Sequence, residues 1–76
     1  MKQKISVIGA GTMGTGIAQV AATYGSTVSL IDTSQEALER SRSSLHSVMN
    51  RLVEKEKLSL EESGEILSRI QWTSDI

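Results

Sequence analysis

The sequence contains no cysteine, no proline and no phenylalanine, and its aromatic residues are Tyr24 and Trp72 alone. Without cysteine there is neither a disulfide framework nor a thiolate metal site, and the composition fits a reducing, cytoplasmic setting. Without proline, glycine and helix-capping residues are the only punctuation along the chain. With two aromatics in 76 residues, few side chains fill a large volume, and a chain this short buries only roughly 60% of the surface it exposes when unfolded. The expected core is therefore thin. An excess of one charge is lacking too: the formal net charge is −1, which offers no electrostatic attraction to nucleic acid or to an anionic membrane. The apolar stretch after Met1-Lys2-Gln3-Lys4 is far shorter than a signal-peptide core or the ~20 residues of a spanning helix. There is no internal repeat and no low-complexity tract.

What the sequence does contain is concentrated near its start. Ile5 to Ile8 reads as a strand that runs straight into Gly9-Ala10-Gly11-Thr12-Met13-Gly14, a G-x-G-x-x-G turn. A helix is expected from about Thr12, with Met13, Ile17, Val20, Ala21 and Tyr24 recurring at helical spacing on one stripe, Gly14 and Ala18 allowing close packing, and Gly25 as a left-handed stop. Thr27 to Ile31 reads as a second strand ending at Asp32. Thr33-Ser34-Gln35-Glu36 has the form of a capping box, and Leu38, Leu45, Val48, Met49 and Leu52 mark the apolar face of a long helix to about Lys57. Ser59-Leu60-Glu61-Glu62 is a second capping box opening a shorter helix through Leu67, and Ile70 to Thr73 reads as a third strand.

Right-handed crossovers turn this order into an α/β architecture, the first half of a doubly wound parallel sheet with spatial order 3-2-1 and a long helical arm between strands 2 and 3. Both crossovers wind the same way, so all the helices are expected on one face of the sheet. Strand 1 is then an open edge, where self-association of the chain is expected. Alternation divides the strands into an apolar set (Ile5, Val7, Val28, Leu30, Ile70, Trp72) and a more polar one (Ser6, Ile8, Thr27, Ser29, Ile31, Gln71, Thr73).

The strand, the glycine turn, the following helix and an acid 23 positions after Gly9 together meet the demands of dinucleotide binding. Gly9 permits the sharp turn, Gly11 a close approach of backbone to phosphate, and Gly14 tight helix–sheet contact. The N–H groups of Thr12 and Met13, at the positive end of the helix, are expected to donate to the pyrophosphate. Asp32 is expected to accept from both adenosine ribose hydroxyls and to repel a 2′-phosphate, so the expected cofactor is NAD. The cofactor-binding set is thus Gly9, Ala10, Gly11, Thr12, Met13, Gly14 and Asp32. A competing reading makes Asp32 a cap of the next helix.

The run Val7-Ile8-Gly9-Ala10-Gly11-Thr12-Met13-Gly14-x-Gly16-Ile17-Ala18-Gln19-Val20-Ala21-Ala22, followed by Gly25, Val28, Asp32 and Leu38, resembles the start of the NAD-binding domain of the 3-hydroxyacyl-CoA dehydrogenases, including 3-hydroxybutyryl-CoA dehydrogenases. The ending Arg69-Ile70-x-x-Thr73-Ser74-Asp75-Ile76 resembles the third strand and following turn of the same family. The resemblance implies a Rossmann-type domain, and NAD-dependent oxidation of a 3-hydroxyacyl-CoA to the 3-ketoacyl-CoA in fatty acid or butanoate metabolism, by a histidine–glutamate pair aided by serine and asparagine. In the family those residues come from segments after the third strand, so no catalytic residue is assigned within this sequence and the chain alone is expected to be inactive. His46, beside Leu45 with no acid–histidine pattern around it, reads as a helix-surface residue. The family's arm also meets the acyl-CoA through a lysine that corresponds to Lys55, while an accompanying serine corresponds to Val48. Lys55 reads equally well as one charge of the solvated run Glu54-Lys55-Glu56-Lys57. The expectation is an incomplete N-terminal portion of an NAD-binding domain; the alternative is a stand-alone or relic dinucleotide-binding module without catalysis.

Overall fold

The structure, a computed structural model, describes residues 3–75; Met1, Lys2 and Ile76, the ends of the lead-in and of the closing turn, lie outside the described residues. The order is β1 (Lys4–Ile8), α1 (Thr12–Thr23), β2 (Thr27–Ile31), α2 (Gln35–Glu54), α3 (Leu60–Ser68) and β3 (Ile70–Thr73). The three strands form one parallel sheet with β2 central, the 3-2-1 order expected from right-handed crossovers.

Register aligns the two alternating sets as expected: Ile5, Val28 and Ile70 lie abreast, as do Val7, Leu30 and Trp72, with Ser6, Ser29 and Gln71 between them. The first set carries the core. Val7, Val28, Leu30 and Ile70 are buried and cluster with Ala18 and Ala22 of α1, Leu38, Leu45 and Met49 of α2, and Ile66 of α3. On the other face Ser6, Ile8, Thr27 and Gln71 are exposed, and Ile31 of the central strand is the buried member of its set. Arg69 ties the layers together where β3 begins, donating from Nη1 to the Ala22 carbonyl at the end of α1 at 2.7 Å while lying 3.6 Å from Glu65.

Three local expectations differ from the structure. The stripe on α1 faces outward: Met13 is 80%, Val20 59% and Tyr24 86% exposed, and the buried face is Gly14, Thr15, Ala18 and Ala22. The reason is distance. A helix lying this close to the sheet accommodates glycine and alanine at the contact, and periodicity finds the apolar side chains without saying which arc touches the strands. The cap of α2 is Ser34, whose Oγ accepts from Ala37 N at 3.1 Å, so no Thr33–Glu36 box forms. Asp32 shifts the start by taking Ser34 N–H on Oδ1 at 2.9 Å, which turns Thr33 outward as a bend. Lastly, α2 stops at Glu54, short of Lys57. Lys57 N–H reaches back to the Leu52 carbonyl and Glu56 N–H to that of Val53, with Glu56 at φ +58°.

That terminal turn has the same hydrogen-bond pattern as the end of α1, where Gly25 holds φ +97° and Ser26 N–H reaches the Ala21 carbonyl. A left-handed conformation costs a residue with a Cβ about 1–2 kcal/mol. Glu56→Gly is therefore expected to raise stability by about 0.5–1 kcal/mol, as the glycine at the end of α1 suggests, measured as a higher denaturant midpoint with unchanged slope. The Ser59–Glu62 capping box at α3 forms as expected, with both reciprocal bonds in place.

Candidate functional site

The carboxyl ends of the strands carry the glycine turn. Gly9, at φ +101°, sends its N–H to the Ile31 carbonyl at 2.7 Å, folding the turn over the end of β2. A Cβ at Gly14 would run into the Gly9 carbonyl oxygen, with the carbonyl carbon at 3.1 Å and Val7 Cγ1 at 3.4 Å. Gly9 thus meets a backbone demand and Gly14 a steric one. Gly11 meets neither: its φ of −74° and ψ of −171° suit any residue, and among the described residues nothing beyond its chain neighbours lies within 4 Å of where its Cβ would be. The open space above Gly11 is the cradle an approaching phosphate needs, so the turn fits the pyrophosphate of a dinucleotide.

The helix that starts there is the one left without a side-chain cap. α2 and α3 begin with a serine hydroxyl accepting a backbone N–H, whereas α1 begins at Gly11 with no side-chain cap and no acid in its first turn. Among the described residues nothing accepts from the N–H groups of Gly11, Thr12 and Met13. Uncommitted donors at the positive end of a helix suit an anion.

Asp32 closes the site from β2. Its Oδ2 accepts from Ala10 N at 2.9 Å and its Oδ1 from Ser34 N at 2.9 Å. These N–H groups, Ala10 first and Ser34 second, hold its carboxyl below the ordinary value of 3.8, against a smaller opposing effect of desolvation. Asp32 therefore braces the glycine turn and organises the start of α2, and each oxygen keeps a second lone pair for a hydroxyl donor. The ribose and helix-start readings of this residue are compatible.

A cleft of about 480 Å³ runs beside the turn between α1 and α2, lined by Gly11, Thr12, Gln19, Arg40, Ser44 and Val48 among others. Sequence reasoning assigned no role to Arg40 or Ser44; a serine-rich arm offers no periodic signal that would single them out. Lys55 is not brought to the glycine turn. It caps the far end of α2, an exposed position about 30 Å along the helix axis from Ser34 at ~1.5 Å per residue. His46 is exposed on the same helix. Among the described residues no group of three or more histidine, cysteine, aspartate or glutamate side chains is arranged to hold a metal ion.

This arrangement has close counterparts. The model of the family described as "3-hydroxyacyl-CoA dehydrogenase, NAD binding domain" matches residues 4–76. The chain belongs to that family. It is 45% identical over 74 residues to the 3-hydroxyadipyl-CoA dehydrogenase of Escherichia coli K12 and 44% identical over 73 residues to a probable 3-hydroxybutyryl-CoA dehydrogenase of Deinococcus radiodurans. These matches cover 97% and 96% of the chain but 16% and 26% of the relatives, so the chain spans only part of their length. The crystal structure of a 3-hydroxybutyryl-CoA dehydrogenase from E. coli K12 superposes with a TM-score of 0.93 at 44% identity, over 97% of this chain and 16% of that one. The (S)-3-hydroxybutyryl-CoA dehydrogenase of Ralstonia eutropha superposes at 0.92 with 36% identity, over 96% and 26% respectively. The Rossmann-type fold and the NAD-binding character of the domain follow from this membership. No described helix is long and apolar enough to cross a membrane.

Proposed function

We propose that this chain holds the adenosine diphosphate half of NAD for a 3-hydroxyacyl-CoA dehydrogenase whose acid–base residues lie outside these 76 residues. The observation that carries the reading is Gly11, a glycine that the fold does not require, set above uncommitted N–H groups at an uncapped helix start. In this reading Gly9, Ala10 and Gly14 shape the turn. Gly11, Thr12 and Met13 face the pyrophosphate with their N–H groups, and Asp32 accepts from the adenosine ribose. Bound NAD supplies the hydride acceptor; the chain binds and orients it. In the same reading Lys55, the C-cap of the α2 arm, meets the acyl-CoA substrate, and the cysteine-free sequence suits the cytoplasm.

A half-site for the nucleotide does not distinguish NAD from ADP-ribose. Titration of the purified chain is expected to give matching affinities for the two, with no NADH formed from a 3-hydroxyacyl-CoA. A strong preference for NAD, or chain-dependent NADH formation, would overturn the reading. β1 pairs with β2 only, among the described strands, and Ile8 is 71% exposed on the uncovered face. We place self-association of the isolated chain at this edge; sedimentation as a monomer over a wide concentration range would contradict it.

A further inference from the structure

Two buried hydroxyls are not used by the reading above. Thr15 on α1 and Ser41 on α2 are 8% and 3% exposed, and their oxygens lie 2.7 Å apart. Either hydroxyl can donate to the other, and their remaining partners set which arrangement reaches the glycine turn. Trp72 Nε1–H donates to Ser41 Oγ at 3.0 Å, and when Thr15 Oγ1 donates to the Ala10 carbonyl, a long contact at 3.4 Å, the hydrogen between the two hydroxyls comes from Ser41. The result is one continuous chain of donors, Trp72 to Ser41 to Thr15 to Ala10, from β3 through both helices into the glycine turn.

The last link decides its consequence. The Ala10 carbonyl and the Gly11 N–H belong to one trans peptide plane, in which they point in opposite directions. A carbonyl held inward by Thr15 therefore sends the Gly11 N–H outward. Ala10 is flanked by two glycines, so rotation of this plane meets little steric resistance from its neighbours. Asp32 holds the preceding plane through Ala10 N–H, and Thr15 holds the following one.

We propose that Thr15 and Ser41 are positioning residues that aim the Gly11 N–H at the nucleotide phosphate and couple the glycine turn to the α2 arm and Trp72. The inference rests on the assignment of the glycine turn to the pyrophosphate. Because Trp72 is the single tryptophan, its emission reports on its surroundings, which include Ser41 Oγ and the Arg42 guanidinium 5.2 Å from the ring centroid.

ADP-ribose titration of the unaltered chain, followed both by calorimetry and by Trp72 emission, is expected to show binding and an emission change with the same midpoint. Thr15→Val, which keeps the shape and removes the hydroxyl, is expected to weaken binding by about threefold to tenfold, the scale of one misdirected donor. Thr15→Ser should restore it. Ser41→Ala is expected to weaken binding similarly and to abolish the emission change. Binding by the unaltered chain with no change in Trp72 emission overturns the proposal and leaves the nucleotide assignment standing, and needs no variant. Folded Thr15→Val with unchanged affinity does the same. Absence of any ADP-ribose binding by the unaltered chain overturns both.

Discussion

Gly14→Ala is expected to destabilise the chain by about 3 kcal/mol or more and to abolish nucleotide binding. The new methyl group would collide with the backbone carbonyl of Gly9, with Val7 Cγ1 also in contact. Overpacking typically costs about 1–3 kcal/mol when side chains can adjust. Here the obstacle is the turn itself, and relief requires α1 to lift from β1. A chain of this size has roughly 4–11 kcal/mol of stability to lose, so the variant should show a much lower denaturant midpoint. Gly11→Ala provides the contrast. Its Cβ would enter empty space with ordinary backbone angles, so folding should be unchanged while ADP-ribose binding is lost. A Gly11→Ala variant that binds normally would remove the main support for the phosphate assignment.

Asp32→Ala is expected to weaken NAD binding by about a hundredfold, the scale of losing two hydrogen bonds to a charged acceptor. It should also bring NADP affinity closer to that for NAD, because the carboxylate that repels a 2′-phosphate is gone. Paired titrations with the two cofactors measure both effects. The pH dependence follows from the direction of its shift. The Ala10 and Ser34 N–H groups stabilise the carboxylate, so the folded-state value lies below the ordinary 3.8. The contribution of these bonds is fully present above the unfolded-state value and is lost as pH falls through the lowered folded one. Affinity limited by Asp32 should therefore be flat from neutral pH down to about 5 and decline only in strong acid, below the ordinary carboxylate range.

Much of the architecture was legible because local and global signals agree. The strand limits of β2 and β3, the sheet order and the Ser59–Glu62 box follow from alternation, crossover handedness and capping chemistry. What escaped were choices made by tertiary contact. The outward turn of Met13, Val20 and Tyr24 is decided by how closely α1 approaches β1, which a hydrophobic period does not encode. The one-residue shift of the α2 cap is decided by Asp32, whose side chain competes for Ser34 N–H before the helix begins. Glu56 in a left-handed turn defies residue preference, so nothing in the sequence marks the end of α2 there. The glycine turn and Asp32 were recognisable as a group, whereas the hydroxyl chain beneath them was not: threonine and serine at helix positions carry no signal until the helices are packed.

In the proposed site the uncommitted amides at the start of α1 receive the phosphates of the cofactor. Backbone amide chemical shifts of the chain, recorded during titration with ADP-ribose, test this contact. The largest changes are predicted at Gly11, Thr12 and Met13, with smaller ones at Ala10 and around Asp32. Saturable binding with those amides unmoved, and shifts centred instead on Arg40 and Ser44 in the cleft between α1 and α2, would contradict it.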